Sequence, residues 1–122
     1  MHVILWEFEV KRGSEAEFER AYGSEGDWVR MFRRAAGFLG ADLLHDCGTA
    51  GRYVTLDRWT TQEAFEACRL GARAEYEALD KRCERLTRKE TLLGRFEMLE
   101  APGAAPAAAP LRRRGARPRA PR

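Results

Sequence analysis

Four side chains in this sequence combine useful chemistry with positions that could frame a pocket: His45, Asp57, Trp59 and Tyr76. His45 is the only histidine besides His2. An imidazole with an ordinary pKa of about 6.5 is suited to acid–base work near neutrality, although a histidine near a strand end is also a common surface residue. Asp57 and Trp59 lie in RYVTLDRW (52–59), whose alternation puts Tyr53, Thr55, Asp57 and Trp59 on one face of a strand. There Asp57 either orients a base or pairs with a basic neighbour. Trp59 either fills the core, with its N–H on a backbone carbonyl, or walls a pocket. Tyr76 falls on the apolar stripe of a helix, where a buried phenol can hydrogen-bond a core group or a ligand oxygen.

Metal chemistry has little to stand on. There is no HxxxH, HExxH or paired-cysteine pattern, so no metal site is expected. Cys47, Cys68 and Cys83 are an odd, widely spaced set. They read as reduced thiols, with Cys68 and Cys83 as small core residues.

The elements that must position these residues follow from periodicity. HVILWEFEV (2–10) alternates, with Ile4, Trp6, Phe8 and Val10 on one face. Ser14 and Glu17 form a capping-box pattern for a short helix whose apolar side is Phe18, Ala21 and Tyr22. A second helical piece starts near Asp27, with Trp28, Val29 and Phe32 inward. FLGADLLHD (38–46) is a second strand, joined by the turn GTAG to RYVTLDRW as an antiparallel hairpin. Thr60 and Glu63 form another capping-box pattern. It opens a long helix to about Leu86 with the stripe Phe65, Cys68, Ala72, Tyr76, Leu79, Cys83 and Leu86. ETLLGRFEML (90–99) is a fourth strand.

The order βαββαβ specifies an α+β, ferredoxin-like domain over residues 1–100, a four-stranded antiparallel sheet with helices on one face. The face turned away from the helices remains apolar. In strand one it carries Val3 and Leu5, in strand three Val54 and Leu56; in strand four Leu92, Phe96 and Met98 stand opposite Leu93 and Leu99. A second copy of the chain is expected to cover it, forming a homodimer.

Composition sets the remaining limits. The chain has 122 residues and a formal net charge of +3. Six arginines lie within residues 101–122; without them 16 basic residues face 19 acidic ones, and the net charge is −3. The basic excess thus belongs to a Pro/Ala/Arg-rich tail, expected to be disordered, and no specific nucleic-acid partner is implied. No apolar run reaches the roughly 20 residues that span a bilayer. The start reads as a strand and not as a leader, so the expected location is the cytoplasm, with no membrane partner.

The stretches HVILWEFEVKRGSEAEFERAY, AAGFLGADLL and RYVTLDRWTTQEAFEA together resemble the antibiotic biosynthesis monooxygenase domain of the dimeric α+β barrel superfamily. The resemblance implies a homodimer with a small pocket between sheet and helices in each subunit. It also implies either oxidation of phenolic polyketides to quinones by molecular oxygen without metal or flavin, or degradation of haem. In the quinone-forming members a tryptophan placed like Trp59 is joined by an asparagine and a tyrosine. Thr55 and Phe65 stand at those two positions here. The haem-degrading members use an asparagine on strand one and a helical histidine, where this chain has Trp6 and no histidine. The expectation is a cofactor-independent monooxygenase for a small aromatic substrate and oxygen. Its pocket is lined by Phe18, Thr55 and Phe65, with His45 as base and Trp59, Tyr76 and Asp57 around it. The alternative is a non-enzymatic dimer of the same fold that binds a small ligand or regulates a partner.

Overall fold

The computed structural model describes residues 1–99; the arginine-rich segment expected to be disordered lies outside them. Eight elements follow one another: β1 (His2–Val10), α1 (Glu15–Tyr22), α2 (Asp27–Phe32), β2 (Phe38–His45), β3 (Arg52–Trp59), α3 (Gln62–Gly71), α4 (Arg73–Glu84) and β4 (Thr87–Glu97). The four strands form one sheet in the order β2-β3-β1-β4, and every neighbouring pair is antiparallel. This is the expected α+β ferredoxin-like arrangement.

The core forms where the helices cover the sheet. Ile4, Phe8 and Val10 of β1 meet Tyr53 and Trp59 of β3. Phe18, Phe32, Phe65, Leu79 and Leu86 close over them from the helical side and its connections. Each such apolar side chain contributes about 1.5–3 kcal/mol when fully withdrawn from water.

Local chemistry departs from the expected caps at both helix starts. The cap of α3 is Thr61, whose hydroxyl accepts the Ala64 N–H at 3.0 Å. Thr60 is still tied to the sheet, its N–H donating at 2.8 Å to the Gly37 carbonyl just before β2. At α1, the Ser14 hydroxyl makes no cap. Glu15 accepts the Gly13 N–H at 2.8 Å instead, and Glu17 is drawn away to Arg85.

The long helix expected to run to Leu86 is two helices. The chain breaks at Ala72, where φ is −117° and ψ 37°, directly after Gly71. Strand four also begins earlier, at Thr87, and is interrupted by a bulge. Leu92 pairs with Trp6 and Gly94 with Leu5, so Leu93 is the extra residue. The bulge puts Leu92 on the helix-covered side with Trp6 and sends Phe96, paired with Val3, to the other side. The grouping of Leu92 with Phe96 expected from strict alternation therefore fails.

Candidate functional site

Asp57 sits in the middle of β3, paired with Ile4 on one side and Ala41 on the other, and its side chain points to the helix-covered face. The methyl of Ala41 fills little of the space beside it. A cavity of about 180 Å³ opens there between the sheet and the helices, with Asp57, Thr55 and Ala41 on its sheet side. Trp6 and Phe8 of β1 continue that wall. Tyr22, Trp28 and Phe32 enter from α1 and α2, and Phe65 and Tyr76 from α3 and α4. The rings brace one another: Trp28 meets Tyr76 edge-on at 5.2 Å and packs on Tyr22 at 5.9 Å.

The electrostatics are set by burial. Asp57 is partly buried, and loss of water pushes its carboxyl up to about 7, with Arg58 opposing the shift. Arg58 is engaged by Asp42 at 2.6 Å. Among the described residues Asp57 has no hydrogen-bonded cation, so the expected pairing with a basic neighbour is not made. Burial raises Tyr76 to about 12, with a smaller push from Asp80, and it raises Tyr22 further. Both phenols therefore stay protonated near neutrality and can donate a hydrogen bond to a ligand oxygen. Asp80 and Glu90 complete the lining as exposed residues, each raised chiefly by burial and then by neighbouring carboxylates.

Of the residues singled out in sequence, the cavity gathers Asp57, Tyr76, Thr55 and Phe65. Trp59 and Phe18 lie one layer behind it, both fully buried. Trp59 supports Phe65 at 5.5 Å and Phe32 at 5.2 Å, both edge-on. Its indole N–H is buried with no acceptor, so the expected carbonyl partner is absent. Phe18 stacks on Tyr22 at 4.2 Å.

His45 is not brought to the cavity. It pairs with Tyr53 at the far end of the hairpin and stacks on that ring at 4.5 Å. Four residue steps along β3 lead from Tyr53 to Asp57, about 13 Å at strand rise, so an exposed His45 cannot reach a ligand beside Asp57. The lining residues that sequence reasoning did not assign to the site include Trp6, Tyr22, Trp28, Phe32, Asp80 and Glu90. Their signal was weak: Asp80 follows Tyr76 by one helical turn, and Glu90 becomes visible only through its pairing with Phe8.

No group of three or more potential metal ligands occurs among the described residues, and none of their helices is long and apolar enough to cross a membrane. The fold recurs in solved structures. SnoaB, a cofactor-independent oxygenase from Streptomyces nogalater, shares 20% identity at a TM-score of 0.62, over 82% of this chain and 94% of that one. A single-residue variant of MhuD, with two manganese protoporphyrin IX molecules bound per active site, shares 26% identity at a TM-score of 0.66, over 84% and 99%. No curated protein matches the sequence significantly. The family model described as antibiotic biosynthesis monooxygenase matches residues 1–74. With its sheet order and helix-covered cavity, the chain belongs to the antibiotic biosynthesis monooxygenase family.

Proposed function

We propose that the cavity beside Asp57 is the active centre of a cofactor-independent monooxygenase acting on a small hydroxylated aromatic. The observation that carries this reading is a carboxyl with no cation partner, tuned to about 7, inside an aromatic cavity of about 180 Å³. A base working near neutrality should have its pKa near the working pH, and burial has moved Asp57 there. Asp57 takes the phenolic proton; Tyr76, with Tyr22 beside it, donates to the resulting oxyanion. The electron-rich anion passes one electron to oxygen, the two radicals recombine at ring carbon, and the peroxide loses water. One oxygen atom ends in the quinone and the other in water, with the substrate supplying every electron.

The size of the cavity sets the substrate class. An engineered cavity of about 150 Å³ takes benzene, so about 180 Å³ suits one ring or a compact pair. A tetrapyrrole is far too large for this space, and haem does not fit the site as it stands. SnoaB, the oxygenase of the same fold, supports the oxygenase reading. The test is oxygen uptake with hydroxybenzenes and hydroxynaphthalenes, expected above a heat-denatured control and lost in Asp57→Asn. Tight binding of these compounds with no uptake would instead make the protein a ligand-binding module.

The outer face of the sheet supports the homodimer. Leu44, Phe96 and Met98 are about half exposed on it, beside Val54 and Leu56. Interleaved with the ion pairs Arg58–Asp42 and Arg52–Glu7 of the same face, these exposed apolar side chains mark a docking face, and a second copy offers the matching one.

A further inference from the structure

The walls of the cavity carry negative charge and no positive charge. Its ionisable lining consists of Asp57, Asp80, Glu90 and two phenols; no lysine, arginine or histidine contributes. The rest of the lining is dominated by rings, including Trp6, Trp28, Phe32 and Phe65. We infer that the site selects aromatic substrates bearing a positively charged amino group, with the ammonium held at the mouth by Asp80 and Glu90. This deepens the oxygenase reading above and rests on it.

Two independent features support the assignment. The first is charge left over at the mouth. Several surface carboxylates are matched by arginines: Asp42 by Arg58 at 2.6 Å, Asp46 by Arg52 at 2.9 Å, and Glu75 by Arg34 at 2.5 Å. Others, such as Glu9 and Glu63, are not; what sets Asp80 and Glu90 apart is that they are unpaired and line the cavity. Asp80 and Glu90 form no ion pair among the described residues. They also lie close enough to Glu84, and Glu90 to Asp80, for mutual repulsion to resist ionisation. A ligand cation between them would relieve that repulsion. Arg95 does not line the cavity. It lies over the Phe65 ring at 5.5 Å and is held by Glu66 at 3.0 Å.

The second feature is the rings. An ammonium against the face of a tryptophan or tyrosine is attracted by the ring quadrupole, the more so where water is excluded. The same walls repel a carboxylate-bearing ligand, because nothing in the lining can neutralise it. The discrimination therefore runs in both directions: cations are drawn in, and anions are excluded.

Three probes of matched shape separate the possibilities by calorimetry: tyramine (cationic), 4-ethylphenol (neutral) and 3-(4-hydroxyphenyl)propionate (anionic). Tyramine is expected to bind about tenfold more tightly than 4-ethylphenol, and the propionate not measurably. In Asp80→Asn/Glu90→Gln, tyramine binding should fall to the level of the neutral phenol. Both residues are exposed, and a melting curve verifies the fold. In the unaltered protein, raising the salt from 0.05 to 0.5 M is expected to erode the tyramine preference, which screening of a charge contact requires (Debye length about 10 Å at 0.1 M). If 4-ethylphenol binds and tyramine binds no better, or if the preference survives the double substitution, the charge assignment is overturned while the aromatic pocket stands. If none of the three binds, the pocket reading falls with it.

Discussion

Asp57 couples the acidity of one carboxyl to the stability of the whole domain, and the sign of that coupling distinguishes it from a surface acid. Its folded pKa, about 7, lies above the unfolded value. Below about pH 4 the group is neutral in both states and stability is untouched. As pH rises through 4 to 7 the unfolded chain releases the proton while the folded protein retains it, so stability falls across this window. Above 7 the full cost is present. Asp57→Asn is therefore expected to stabilise the protein at pH 8 by about 1–3 kcal/mol, since the site is only partly buried, and to change nothing near pH 4. Thermal melts at the two pH values check this. Oxygen uptake should rise with pH through about 7 in the unaltered enzyme and be absent in the Asn variant. A variant that is more stable and inactive marks a residue kept for function. Tyr76→Phe, which removes only the donor, should lower kcat by about tenfold or more with KM little changed, the pattern of a contact made in the transition state.

At the scale of elements, two glycines make opposite predictions. Gly37 has φ +93°, and a Cβ there would sit 2.6 Å from the Ala64 Cβ and 2.8 Å from the Thr60 Oγ1. Gly37→Ala forces the β2 start away from α3 and is expected to lower Tm by well over 5 °C, at more than about 1 kcal/mol. Gly71→Ala meets nothing within 4 Å and should raise Tm by a few degrees, worth about 0.4–1 kcal/mol. A differential melt of the pair reads both. The helices and strands themselves were legible because burial imposes period: β1 and β3 alternate, and Phe65, Tyr76, Leu79 and Cys83 mark one apolar side. What the pattern could not reveal was the break at Ala72 and the bulge at Leu93. Both are local backbone irregularities that leave the surrounding composition unchanged. The bulge matters because it moves every later side chain of β4 to the other face, and parity counted from Leu92 then misplaces Phe96.

The site was less legible than the fold, for a reason that belongs to the whole molecule. Parity correctly put Thr55, Asp57 and Trp59 on one face, but depth below the surface is not a property of parity. Trp59 is sealed behind Phe65 and Phe32, whereas Asp57 opens on the cavity because Ala41 of β2 is small. His45 shares the same face and still misses the site, since register puts it beside Tyr53. The outer sheet face makes a further prediction at this scale. Phe96→Glu puts a charge onto the proposed subunit contact, where Phe96 is 49% exposed in the single chain. Light scattering should then fall from twice 13.9 kDa to one chain mass, with the sheet intact by circular dichroism. A single-chain mass in the unaltered protein at micromolar concentration would remove the dimer.

The chain contains three tryptophans. Trp6 and Trp28 line the cavity, and Trp59 is sealed immediately behind it. Intrinsic fluorescence is therefore a readout of this one cavity, with no indole elsewhere to dilute it. The Trp59 indole, shielded from water, should emit at short wavelength, and a quinone formed beside it is an electron acceptor that quenches. Turnover would then be visible as progressive darkening of the protein's own emission, recovered when product leaves, without any label or coupled assay.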